Sequence, residues 1–145
     1  MSYGNEALQI TPKQTSDDLM ALYSQTVFLF RTLEDGHLPN PFAIITASNP
    51  LGQILSKDEN DQRNRQLQKE LSHVLHEKII GASEDLEHQE HSFIVQISKP
   101  AAIGLALKYD QNAIFWVEGD DLHIIPVLMS GDEVSVGSFR DRLVT

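Results

Sequence analysis

The chain has no cysteine. Disulfides, a thiol nucleophile and any cysteine-held zinc or iron–sulfur centre are thereby excluded. No apolar run reaches the ~18–20 residues that crossing a bilayer requires. Basic residues are few and never clustered: 11 Lys and Arg stand against 21 Asp and Glu, a formal net charge of −10. Binding to a phosphate backbone draws its affinity from Lys and Arg displacing counterions, so neither nucleic acid nor an anionic membrane is an expected partner. The opening residues, "MSYGNEALQITPKQTSDD", lack the basic and apolar segments of a secretory signal, and a cytoplasmic location is the expectation. The frames G-x-G-x-x-G, G-x-x-x-x-G-K-[ST] and G-x-S-x-G are also missing. Dinucleotides, P-loop nucleotides and an α/β-hydrolase serine are disfavoured accordingly. His73 with His76, and His88 with His91, are spaced three apart, but neither H-E-x-x-H nor H-x-x-E-H occurs. No metal site and no cofactor is expected.

What is present reads as one domain over residues 1–145, with 41% apolar residues to supply a core. The core is expected over 17–129, with 1–15 and 130–145 peripheral. "TSDDLMALYSQ" predicts a short helix with Ser16 as N-cap and Asp17 and Asp18 at the positive end of its dipole. "TVFLFRT", Thr26 to Thr32, is β-branched and aromatic and predicts a strand. "LEDGHLPNP" is a turn or loop. "FAIITA", Phe42 to Ala47, is a continuous apolar run that suits a strand buried on both faces. Ser56 and Glu59 form a capping box, opening a helix expected to run to Ile80 and stop at Gly81. "SFIVQI", Ser92 to Ile97, predicts a third strand, and Pro100 suits the first turn of the next helix. "AIFWVE", "EGDD" and "LHIIPVLM" predict a hairpin. The order α-β-β-α-β-α-β-β implies an α+β domain, a mixed sheet of about five strands with two main helices packed on it. Trp116, Ile124, Ile125, Val127 and Leu128 belong in the core, or form an edge through which two copies could pair.

The long helix carries an anomaly. Its apolar stripe is Leu67, Leu71, Val74, Leu75 and Ile79. Three- and four-residue steps back along that stripe meet Asn64, Arg63 and Asn60. Burying an amide without a partner costs roughly 1–3 kcal/mol, so these side chains are either hydrogen-bonded or face a pocket. Thr46, Ser48 and Asn49 precede them at the end of the buried strand. A capped helix N-terminus beside them is a ready anion site. Two readings stay open: amides that knit an awkward loop to the helix, or a ligand-facing pocket.

These residues also carry a resemblance. Thr46, Ala47, Asn49 and Pro50, then Glu59, Asn60, Arg63 and Asn64, then Glu90, Ser92 and Phe93, and last Gln111, Asn112 and Ala113 fall in the order of a motif set. An early Tyr23…Thr26 pair joins them. Over about residues 20–128 the chain resembles a bacterial family known only as domain of unknown function 3293. The family carries no assigned activity, so the resemblance implies positions and no chemistry. It adds Gln111 to the candidate ligand-binding set and Glu90 as the catalytic candidate. Glu90 is the first candidate for acid–base work, or an ion-pair partner for Arg63. Family members commonly carry a longer insert where this chain has "LEDGHLPNP". Glu90 can meet Asn49 only if the strands at Phe42 and Ser92 run antiparallel.

The expected function is binding of a small polar, anionic molecule, with Arg63 and the helix N-terminus taking its charge. Thr46, Ser48, Asn49, Asn60, Asn64 and Gln111 would read its hydrogen-bonding groups. Whether a reaction follows is left open. The alternative is a non-catalytic interaction module whose acidic surface engages a basic protein, nucleic-acid mimicry included.

Overall fold

In the computed structural model residues 15–30 and 40–144 are described. Helix α1 spans Ser16–Ser24, and its cap is Thr15, one residue earlier than expected, in a reciprocal capping box with Asp18. Strand β1 covers Val27–Leu29; Arg31, Thr32 and the loop at 33–39 lie outside the described residues. Strand β2 is Phe42–Ile45, and helix α2 is Lys57–Glu70, opened by the Ser56–Glu59 capping box. Strands β3 (His76–Ala82) and β4 (Gln89–Val95) precede helix α3, Lys99–Lys108, which has Ser98 as N-cap and Pro100 in its first turn. The expected hairpin is β5 (Ala113–Glu118) and β6 (Asp121–Pro126). Strand β7 is Val134–Ser138, and β8 is Leu143–Val144.

Among the described residues eight strands form one sheet in the order β7-β6-β5-β2-β4-β3-β1-β8. Every pair is antiparallel except β1 with β8. The α+β class holds, while five strands was too few. Inside the sheet, α2 carries the chain from β2 to β3 past β4, and α3 carries it from β4 to β5 past β2. These are two interlocked split β-α-β units with the ferredoxin-like connectivity. Both helices lie on one face, where Leu67, Leu71, Ala102 and Ala106 pack against Ala43, Ile45, Phe93 and Val95.

Three strands escaped the sequence reading. The expected helix to Ile80 ends at Glu70, with Leu71 as its C-cap. Leu67, Leu71 and Val74 face the helix-covered core, whereas Ile79 points to the opposite side of the sheet. The apparent helical stripe was two apolar sets in series, and the β-branched pair Ile79–Ile80 belongs to β3. The other two strands, β7 and β8, come from the tail. Of these, β7 pairs along the outer side of β6, so the β5–β6 hairpin is not the sheet's edge and offers no free strand for pairing two copies.

The sheet curls strongly. Laid flat, eight strands at about 4.8 Å spacing would hold β7 and β8 roughly 33 Å apart. Only Phe139, Arg140, Asp141 and Arg142 connect them, a link of at most about 18 Å at 3.6 Å per residue. Phe28 on β1 and Phe115 on β5, four strands apart in the order, have ring centroids 5.1 Å apart. Phe139 fills the curl against Phe28 and Phe42, each at 5.5 Å. Arg142 ties the approaching ends, donating to Thr26 O at 3.0 Å and Val136 O at 2.8 Å. The concave side of the sheet thus holds a second apolar core, which includes Phe28, Phe42, Ile44, Ile79, Ile94, Val117 and Leu122.

Candidate functional site

The concave core does not extend to the end of the curl where β2 and β3 finish and β1, β4 and β5 begin. There a cavity of about 630 Å³ opens. Its floor includes Phe28, Ile44, Phe115 and Ile124; its walls include Tyr23, Thr46, Asn49, Glu90, Ser92 and Asn112. Strand alternation puts Glu90, Ser92 and Ile94 on this side of β4, and Phe93 and Val95 under the helices.

The β2–α2 loop shapes one wall. Asn49 and Leu51 adopt left-handed conformations, φ 48° and 54°, and Gly52 follows at φ 75°. A glycine takes that last conformation without steric cost. The amides hold this loop together. Asn64 accepts from Ala47 N and donates to Ser48 Oγ, both at 2.9 Å. Asn60 accepts from Asn49 N and donates to Asn49 Oδ1, again at 2.9 Å. Asn49 Oδ1 also accepts from Leu55 N. Buried Gln111 donates to Ser48 O and Tyr109 O at 3.0 Å. Thr46 Oγ1 donates to His91 O at 2.7 Å and accepts from Ser48 N at 3.0 Å. Asn60, Asn64 and Gln111 therefore line the cavity with amides already engaged by their own chain.

Arg63 is placed elsewhere. Its Nε donates to Ala47 O at 2.6 Å and its Nη2 to Tyr109 O at 2.7 Å, and the guanidinium lies 5.9 Å over the Tyr109 ring. It pins the β2–α2 loop to the end of α3 and borders a separate cleft with Glu59, Gln62 and Gln66. The expectation that Arg63 receives an anion in the pocket is corrected by this geometry. The helix N-terminus is likewise engaged by its own capping box.

Glu90 is the group that faces inward. Because β2 and β4 are antiparallel, it reaches Asn49, whose Nδ2 donates to Glu90 Oε2 at 2.8 Å. Among the described residues no Lys, Arg or His forms an ion pair with it. Burial pushes its carboxyl above the ordinary range, and the Asn49 hydrogen bond offsets that only in part. Tyr23 stands nearby at the end of α1. Burial raises its pKa, a hydrogen bond with Asn112 lowers it, and the charge of Glu90 raises it again. A largely desolvated carboxylate in a cleft, held by one neutral amide, is a functional-site signature with a physical basis.

Tyr23, Asn112 and the aromatic floor were not in the set chosen from sequence. Tyr23 and Asn112 did fall in the quoted motifs, which was the available signal. Phe28 and Phe115 carried none, because a half-lined cavity and a core look alike in a strand pattern.

Fold and site together define the class: a curled α+β sheet with two helices on its convex face and a cavity at one end of its concave face. Residues 45–114 match the model of the family described as Protein of unknown function (DUF3293). No curated protein and no solved structure matches the chain.

Proposed function

We propose that the protein binds a small molecule in the concave cavity, with Glu90 as the polar anchor and the aromatic floor as the apolar wall. The observation that carries this reading is Glu90 itself, desolvated beside a cavity of about 630 Å³ and given a single neutral hydrogen-bond partner. A half-buried carboxylate with no ion-pair partner carries a desolvation cost that folding alone gives no reason to keep. The volume is that of ordinary ligand sites, which run roughly 300–1,000 Å³. Further support comes from placement: Tyr23, Thr46, Asn49, Glu90, Asn112 and Ala113 come from separated motif segments and all line this cavity. Glu90 is also the group that would exchange a proton with a bound molecule. The engaged amides act as scaffold, and the ligand contacts pass to Glu90, Tyr23 and Asn112.

The test is ligand-observed NMR with a mixed fragment set, repeated on Ala113→Phe. Ala113 is on the cavity side of β5, so the larger side chain fills the space without disturbing the helix-covered core. Fragments that bind the native chain and are lost in the variant support the reading. Fragments that bind both equally, or none binding at millimolar concentration, overturn it.

A further inference from the structure

We propose that the cavity selects an organic cation, an ammonium or amidinium on an apolar body, held between the Glu90 carboxylate and the rings of Tyr23 and Phe115. This deepens the cavity-binding reading and rests on it.

Charge is the first ground. The cavity is bordered by the carboxylates of Asp61, Glu87 and Glu90 and by one ammonium, Lys57. Lys57 Nζ is already bound to Asp61 at 2.6 Å. His88, His91 and Tyr23 complete the titratable groups there. Arg63, farther along the helix that carries Lys57 and Asp61, is turned away onto two carbonyls. Among the described residues, an anion entering would meet Glu90 with no free Lys or Arg to receive it. A neutral guest would leave Glu90 with its one hydrogen bond to Asn49. A cation with N–H donors supplies the charge-assisted bond that the carboxylate lacks.

The rings are the second ground, independent of the first. Phe115 stands edge-to-face with Tyr23, centroids 6.4 Å apart at 83°, and with Phe28, 5.1 Å apart at 86°. Phe28 is fully buried and backs the group, while Tyr23 and Phe115 remain partly exposed. Rings set at right angles present both an edge and a face to one space. The negative face of an aromatic ring attracts a cation within about 6 Å of its centroid, most strongly where water is excluded. An aromatic set beside a desolvated carboxylate is the arrangement that favours cations over neutral isosteres.

A size-matched series tests this on the whole chain at pH 8. Benzylamine, benzyltrimethylammonium, benzyl alcohol and benzoate are titrated by calorimetry, with thermal shift in parallel. The expected result is benzylamine bound at least tenfold tighter than benzyl alcohol, benzyltrimethylammonium bound through the rings, and benzoate not bound. Glu90→Gln keeps the shape and removes the charge, and should bring benzylamine down to the level of benzyl alcohol. Tyr23→Leu, in a chain that still melts cooperatively, should weaken benzyltrimethylammonium by several-fold. Equal binding of the cationic and neutral compounds, tighter binding of benzoate, or a Glu90→Gln variant that still prefers benzylamine overturns the cation assignment and leaves the cavity reading intact. No binding by any compound overturns both.

Discussion

Alternate residues of the same two strands face very different interiors. Ala43, Ile45 and Ala47 on and just after β2, with Phe93 and Val95 on β4, lie beneath α2 and α3 in a sealed core. Their neighbours Phe42 and Ile44, and Ile94 on β4, face the concave side. On that side polarity rises towards one end: Ile94 gives way to Ser92 and then Glu90, and Ile44 to Thr46. The helices cover their face over β2 and β4, where small Ala102 and Ala106 of α3 join the packed cluster. The curl covers the other face only part of the way. Where cover stops, a polar side chain is tolerated, and there the cavity opens.

Matched deletions test this contrast most directly. Leu67 is fully buried on the sealed side, and Ile44 is 3% exposed on the cavity side. Truncating a buried aliphatic residue to alanine costs about 2–5 kcal/mol, and the spread reflects the void left behind. Leu67→Ala should fall in the upper half of that range, because it opens a new void. Ile44→Ala merely enlarges space already present and should fall in the lower half. Urea unfolding of both variants measures the difference; equal losses would mean that the two faces are packed alike.

Next in size is the scaffold of amides. Asn64 is buried, and Asn64→Leu would leave Ala47 N and Ser48 Oγ without their partner. An orphaned buried donor costs about 1–3 kcal/mol. Asn60→Leu, whose partners are only partly buried, should cost about 1 kcal/mol on the same grounds. If Asn60→Leu instead stabilises the chain, that amide is spending its hydrogen bonds on something other than the loop.

These amides mark the limit of what the sequence could convey. Helical spacing singled out Asn60, Arg63 and Asn64 as unable to be ordinary core, and all three are indeed at the junction of β2 and α2. Spacing says nothing of direction within the junction. Asn64 turns to the loop backbone and Arg63 to two carbonyls on the other side. The role of Glu90 depended on strand direction, which no local pattern encodes, since the antiparallel pairing of β2 with β4 arises from two crossing connections. The curl was hidden for a similar reason: it follows from a four-residue link between strands at opposite ends of the sheet. Strand β3 was hidden by coincidence, its Ile79 falling four residues past Leu75 on an apparent helical stripe.

The open side should also carry a pH signature that the sealed side lacks. Burial raises the carboxyl pKa of Glu90 in the folded chain above its unfolded value. Between those two values the folded state holds more protons, so this group's contribution to stability falls as pH rises. Below the unfolded value, near pH 4.5, the penalty is absent; above the folded value it is complete. Glu90→Gln keeps an acceptor for Asn49 Nδ2 and removes the charge. Its melting temperature should exceed the native value by a few degrees at pH 8, and the gap should close as pH falls towards 4.5. A variant less stable at pH 8 would mean that the ionised carboxylate is stabilised by a partner that the cavity geometry does not provide.

The smallest expected effect belongs to the loop at the cavity mouth. Leu51 is 61% exposed and sits at φ 54°, with its N–H donating to Asp110 O at 2.7 Å. A left-handed conformation costs an L-residue about 1–2 kcal/mol. Leu51→Gly relieves that cost, while the freer unfolded chain takes back about 0.5–1 kcal/mol. The net gain should be about 0.5 kcal/mol, read as a slightly higher urea midpoint at unchanged slope. The hydrogen bond to Asp110 uses the backbone and survives the change, so the loop keeps its path. A loss of stability would mean that the exposed leucine packs on something at the mouth, and that the open side is better covered than its geometry indicates.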